Sequence, residues 1–282
     1  MNKSQSLHSC ITSTHYYTYP TEKIKHKSDV PGIFWHERMM PMSKFLFSTY
    51  GHSPALLHAR NALQSWGYDV SPNPWEATHL LLPVPSFDEG GRVKGGGCLS
   101  ALLPQLRPDV TIFGGNLDFL QGRKADFLQD EYYLLENAAI TARCALKYAD
   151  IRPGIPVLVI GWGRIGKHLA AILAQMRADV TVAVRKQAHF ETLQKIGLRA
   201  VYLQELVPAQ YAVIFNTAPA PVLDDTQCQK DAQLIDLASK KGITGDGVIW
   251  ARGLPGKDAP EESGTLIAKT ALRYALEGDI CL

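Results

Sequence analysis

Three glycines, Gly161, Gly163 and Gly166, stand at G-x-G-x-x-G spacing inside VLVIGWGRIGKHLAAILAQMRADVTVAVRKQ, residues 157–187. An apolar run leads into them and a helical pattern leads out. In that setting the first glycine allows a tight turn and the second lets backbone approach a pyrophosphate. The third permits close helix–strand packing, and the helix N-terminus faces the anion. Trp162, Arg164 and Ile165 complete the expected cofactor-binding turn. The second apolar run ends in Arg185 and Lys186, where an acid would hold a ribose 2′-hydroxyl and repel a phosphate. Arginine suits a 2′-phosphate through charge-assisted hydrogen bonds and stacking on adenine. The pair therefore favours NADP(H), with NAD(H) as the alternative.

Two further segments belong to the same expected site. NTAP (216–219) ends a strand at the carboxyl edge of the sheet, which puts Asn216, Thr217 and Pro219 beside a nicotinamide ribose. A plain turn with a capping Asn is the other reading. Asp236, in IDLASKKG (235–242), ends the next strand at that edge. It either meets the ligand or satisfies loop amides.

The elements that must position these residues follow from periodicity. KFLFSTYG (44–51), THLLLPVP (78–85) and DVTIFGGN (109–116) are apolar strand patterns. Ser53 and Pro54 offer an N-cap and first-turn proline for the helix ALLHARNALQSWG. SFDEGGRVKGGG (86–97) reads as a glycine-rich loop. Leu134, Leu135, Ala138, Ala142, Ala145 and Leu146 fit a long helix over 130–149, ended by DIRPG (150–154). Strands over 156–160, 179–184, 199–203, 211–217, 232–238 and 247–251 then alternate with helices, as a doubly wound nucleotide-binding sheet requires. The expected fold is α/β, with two Rossmann-like domains of doubly wound parallel sheets and a cleft between them. Residues 44–149 make the first domain and 150–260 the second. A last helix within 261–282 packs back on the first.

Residues 1–43 hold His8, His15, His26 and His36 at spacings that match no metal-ligand motif, and they lack an apolar signal core. A poorly packed extension is expected there. Met39, Met40 and Met42 offer alternative starts. With 282 residues, a net charge of +2 and scattered basic residues, nothing points to nucleic acid. No apolar run approaches the ~20 residues of a membrane span. Five scattered cysteines with no CxxC pair suit reduced thiols in a cytoplasmic protein rather than a metal site.

LLLPVP (80–85), IFGGN (112–116), GWGRIGK (161–167), VAVRKQAHF (182–190), NTAP, IDLASKKG, GLPGKDAP (253–260) and SGTLIA (263–268) run in an order that resembles the A-subunit family of dipicolinate synthase. The resemblance covers roughly residues 44–276, and GLPGKDAP is its most specific piece. It implies an NADP-dependent oxidoreductase that dehydrogenates a dihydrodipicolinate-type precursor to dipicolinate for bacterial spores. A flavoprotein-like second subunit, of the B type, is the implied partner, and a homo-oligomer is left open. Two segments depart from the family pattern. YGHSP (50–54) replaces a Gly-Gly-Asp turn with a nearby Arg. ITARC (140–144) replaces Pro-Thr-x-Glu-Gly, keeping Thr141 but substituting Arg143 and Cys144.

A dianionic substrate wants cations in the cleft, which makes Lys257 the first candidate, with Arg143, Arg164 and Arg252 beside it. Thr141 and Arg143 would approach from the interdomain helix. Proton abstraction needs a base, and His52 follows the first strand; His168 and His189 read as helix-surface residues. A 2-hydroxy acid dehydrogenase would carry a histidine near APEESG (259–264), which has none. A noncatalytic nucleotide-binding or diverged subunit, or another dehydrogenase of a small carboxylate, is the alternative reading.

Overall fold

The computed structural model describes residues 45–277. The expectations for the stretch 1–43, its histidines and its methionine starts lie outside those residues.

The first half of the described chain builds a five-stranded parallel sheet. In chain order come β1 (Leu46–Thr49), α1 (Pro54–Ser65), β2 (Asp69–Val70), β3 (His79–Leu81), α2 (Leu99–Leu102), β4 (Thr111–Gly114) and β5 (Lys124–Asp126). The strand order is β2-β1-β3-β4-β5. Leu80, Leu81 and Leu82 are fully buried, as a strand covered on both faces must be. Periodicity misses β2 and β5, which have two and three residues and include charged positions. α1 starts where Ser53 and Pro54 put it, with the Ser53 hydroxyl accepting from Leu56 N at 3.1 Å.

α3 (Glu131–Ala145) follows, capped by Asp130. A second sheet then contains β6 (Pro156–Ile160), α4 (Arg164–Gln175), β7 (Asp179–Val184), α5 (Gln187–Lys195), β8 (Arg199–Tyr202) and β9 (Val213–Asn216). After a minor strand β10 (Leu223–Asp224), β11 (Gln233–Asp236) joins the sheet. β12 (Ile243–Thr244) pairs with β10, and β13 (Val248–Trp250) closes the order β13-β11-β9-β6-β7-β8. Numbered within this half, that is 6-5-4-1-2-3, the Rossmann order with its topological switch between β6 and β9. α4 buries Gly166, Leu169, Ala170 and Leu173, one face at helical spacing. The chain is therefore α/β with two parallel sheets, as its alternating pattern predicts.

α6 (Leu254–Asp258) and α7 (Pro260–Glu277) complete the fold. GLPGK is thus the start of a short helix rather than an open loop, entered through Gly253 in the left-handed region at φ 67°. α7 lies against α1. A Cβ at Gly264 would stand 2.5 Å from Ala55 O and 2.7 Å from Ala59 N, so only glycine allows this approach. Asp130 ties α7 to α3: it accepts from Tyr133 N at 2.6 Å, from Tyr274 Oη at 2.9 Å and from the Arg273 guanidinium. Burial raises the Asp130 carboxyl, but these donors outweigh it and hold the pKa below the usual aspartate value.

Candidate functional site

The glycine turn has the shape its spacing predicts. Gly161 has φ 102°, and a Cβ there would meet Thr217 Oγ1 at 2.6 Å. A Cβ at Gly166 would strike Gly161 O, so that glycine serves packing. Gly163 differs: a Cβ there would meet nothing within 4 Å. It is also the N-cap of α4 and supplies no side-chain cap to the first-turn amides. Open space before uncapped N–H groups is what a pyrophosphate would fill.

Around that space lies a cavity of about 230 Å³. Its lining joins Gly161, Trp162 and Gly163 to Arg185, Lys186 and His189, with Thr217, Ala218 and Pro219 from the neighbouring strand end. Arg185 and Lys186 are exposed, and among the described residues neither forms an ion pair. His189 is half-buried in this wall rather than a plain helix-surface residue. Burial, then the Lys186 and Lys167 charges, lower its pKa. No carboxylate lines the cavity. A wider, open depression of about 630 Å³ lies at the amino edge of the sheet around Asp179 and Arg199. It is far from the strand carboxyl ends and has no glycine cradle.

The strand-end polar residues act on backbone. Asn216 and Asp236 are both fully buried, at 0% exposure. Asn216 donates to Asp236 at 3.0 Å and to Ala218 O at 3.1 Å, and accepts from Ala218 N at 2.9 Å. Asp236 also accepts from Ala238 N, Gly242 N and Ile243 N at 3.0, 2.6 and 2.9 Å. Through these bonds the two residues hold the NTAP turn and the loop after β11 in shape. Thr217 Oγ1 donates to Ile160 O at 2.9 Å and packs the glycine turn.

The cations expected in a cleft sort themselves by partner. Arg143 is ion-paired with Glu262 of α7, and Arg164 with Glu131 of α3. The hydroxyl of Thr141 is buried and donates back to Asn137 O at 2.7 Å. Thr141 is thus tied to its own helix, and Arg143 joins α3 to α7. Lys257 is exposed on α6 and His52 is exposed after β1; neither forms an ion pair among the described residues. Among these residues no cluster of three metal-ligating side chains occurs, and no helix is long and apolar enough to cross a membrane.

The glycine-rich segment 86–97 is more ordered than its composition suggests. Phe87 and Val93 form a bridge, and Asp88 Oδ1 accepts from Gly90 N and Arg92 N at 3.0 and 2.9 Å. Its tip then returns to the turn after β1, where Lys94 O accepts from His52 N at 2.8 Å. Residue type and spacing alone did not single out Lys94. The hint was a lone lysine set among Gly95, Gly96 and Gly97, where backbone can press onto a neighbouring strand end.

The model of the ketopantoate reductase PanE/ApbA family matches residues 157–241, from β6 to the loop after β11. The A subunit of dipicolinate synthase from Bacillus subtilis (strain 168) is 29% identical over 151 residues, 49% of this chain and 51% of that protein. The match thus spans about half the length of that relative. The crystal structure of the dipicolinate synthase A subunit from Bacillus halodurans aligns with TM-score 0.69 at 19% identity, over 82% of this chain and 97% of that one. Its counterpart from Bacillus subtilis gives 0.68 at 20% identity, over 83% and 96%. The likeness carried by the motifs is present in sequence over about half the chain and in fold over most of it.

Proposed function

We propose, from this chain's kinship with the A subunit of dipicolinate synthase, that it is an NADP-dependent oxidoreductase. Its reaction would dehydrogenate a dihydrodipicolinate-type cyclic dicarboxylate to dipicolinate in spore-forming cells. The observation that carries this reading is the cavity in which open space at Gly163 continues to Arg185 and Lys186 with no acid between. The turn 161–166 would hold the pyrophosphate, and Arg185 with Lys186 the 2′-phosphate. A bound nicotinamide dinucleotide supplies the hydride acceptor.

The chain's own residues have two remaining tasks. They must grip the substrate carboxylates and take a proton as the ring becomes aromatic. Lys257, at the family-matching GLPGK, is proposed for a carboxylate. His52, at the carboxyl end of β1, is proposed as the base. In this reading 44–149 and 150–260 act as two domains around a cleft, with a cytoplasmic setting and a flavoprotein-like second subunit.

The ion pairs Arg143–Glu262 and Arg164–Glu131 favour one alternative, a nucleotide-binding subunit without turnover, because they neutralise two cleft cations. Incubating the full chain with dihydrodipicolinate and NADP⁺ separates the two. The growth of NADPH absorbance together with that of the aromatic dicarboxylate supports the enzyme. Tight NADPH binding with neither product supports the noncatalytic reading.

A further inference from the structure

α5 begins where β7 ends, and its first turn carries an imidazole into the basic rim of the cavity. Lys186 is the N-cap, gives no side-chain bond to the first amides, and accepts from His189 N at 3.1 Å. That bond fixes His189 at the third helical position. Side chains of a helix lean toward its N-terminus, so the ring leans back over Lys186 and Arg185. It lines the same cavity of about 230 Å³ as Arg185, Lys186 and Gly163. The ring is half-buried, yet neither of its nitrogens has a hydrogen-bond partner among the described residues. His79, by contrast, commits Nδ1 to Thr78 Oγ1 at 2.8 Å. A cavity-lining ring with both nitrogens free is available to a ligand oxygen.

The charges that face this ring share one sign. Arg185 stands at the end of β7, Lys186 at the start of α5, and Lys167 comes from α4. The acids nearby are turned to other tasks. Glu191 of α5 accepts from Gln187 Nε2 at 2.8 Å, and Glu205, beyond the lining residue Leu203, is exposed and outside the cavity wall. Tyr202 of β8 is stacked on Phe190, with centroids 4.5 Å apart. The strand end at 217–219 brings no titratable group. Burial first, then the Lys186 and Lys167 charges, hold the ring below the usual histidine range. A phosphate dianion set among these groups reverses the sign of that field and favours the imidazolium.

We infer that His189 sets nucleotide choice together with Arg185 and Lys186: it takes a proton from solvent and donates it in a hydrogen bond to the 2′-phosphate, so that the preference for NADPH over NADH grows as pH falls. The inference rests on the 2′-phosphate reading and adds a third residue and a pH dependence to it. A free 2′-hydroxyl brings no charge to the ring, so NADH gains nothing from the proton. The sign follows from linkage. The phosphate raises the histidine pKa in the complex, so affinity climbs as pH falls through that raised value. It levels off below the pKa of the free protein.

Calorimetric titration of the full chain with NADPH and with NADH tests this, from about pH 8.5 down to about 6.5, where the phosphate stays mostly dianionic. The ratio of NADPH to NADH affinity should rise at least about threefold across that span, and by no more than about tenfold per pH unit, the ceiling for one proton. Titrations in two buffers of different ionisation enthalpy should show more proton uptake with NADPH than with NADH. His189→Gln keeps a polar group without the charge; at the lowest pH it should weaken NADPH about tenfold, leave NADH within about twofold, and flatten the ratio against pH. His189→Arg should restore NADPH binding with no pH dependence. If His189→Gln disturbs folding, the proton uptake of the wild-type chain decides by itself. A ratio constant with pH in the wild-type chain, or equal weakening of both nucleotides by His189→Gln, overturns the inference. Should Arg185→Asp still abolish the NADPH preference in that event, the 2′-phosphate reading stands without His189. Tighter binding of NADH than NADPH by the wild-type chain at every pH overturns both.

Discussion

Gly163 and Gly166 lie three residues apart and carry opposite costs. Gly166 is pressed on Gly161 O, so Gly166→Ala should lower stability by about 1–3 kcal/mol through overpacking. Gly163 has ordinary extended dihedrals and open space, so Gly163→Ala should melt like wild type. It should nevertheless lose most NADPH binding, because its methyl group fills the pyrophosphate space. Thermal melts alongside nucleotide titrations read both; a Gly163→Ala variant with intact NADPH affinity would put the nucleotide elsewhere. At the cavity rim, Arg185→Asp should reverse the preference from NADPH to NADH. The loss for NADPH should be at least about tenfold, from a removed charge-assisted bond and an added repulsion. Tighter binding of NADH than NADPH by the wild-type chain would sink the 2′-phosphate reading.

Asp130 and Gly264 show how the helices are locked to one another. Asp130 caps α3 and accepts from two residues of α7, so a single carboxylate joins elements far apart in sequence. Asp130→Ala removes the cap and leaves a partly buried Arg273 with only its longer ion pair to Glu277, at 3.5 Å. It should cost about 2–4 kcal/mol, read as a lower midpoint in urea. Asp130→Asn keeps a capping oxygen and should recover part of this. Gly264→Val would drive α7 off the backbone of α1 and should cost a similar amount. If Gly264→Val melts like wild type, the close approach of α1 and α7 is not what holds them.

For the whole molecule, two buried groups contribute to acid sensitivity. His79 is buried in the first sheet, 5.7 Å from Phe113 in a stacked arrangement and edge-on to Phe45 at 5.2 Å, with Nδ1 2.8 Å from Thr78 Oγ1. Burial lowers its pKa to about 4, with the Asp109 charge opposing. The unfolded chain binds this proton more readily than the folded one. Stability should therefore be full above about pH 6.5 and fall as pH drops toward 4, by no more than about 3 kcal/mol. The Asp130 carboxyl, also held low, adds a further loss below its ordinary range, as pH falls through its folded value. Melting temperatures from pH 8 to 4 check this. His79→Leu should flatten the upper part of the curve, and a slope unchanged by that substitution would assign it to other groups.

How much of this was legible beforehand depends on the range of the interaction. The strand–turn–helix at 156–175 and the capped start of α1 rest on neighbours within a few residues. Periodicity, a proline and three glycines were enough to specify them. The apolar runs also determined that the strands would be buried and parallel. The short strands β2 and β5 were not visible, because their pairing partners, not their own side chains, make them strands. Asp236 and Asn216 stood at the right sheet edge, yet only the tertiary structure decided that they face inward and hold loops. Arg143 and Arg164 read as free cations until the packing of α3 on α4 and α7 gave each a carboxylate. Lys94 carried no signal of its own, since its place depends on a glycine-rich loop folding back onto a strand end. Local chemistry thus determined a nucleotide-binding turn and its basic rim. Which charges remain unpaired to meet a substrate was a tertiary decision, because a charge is neutralised or left open by neighbours that sequence distance does not reveal.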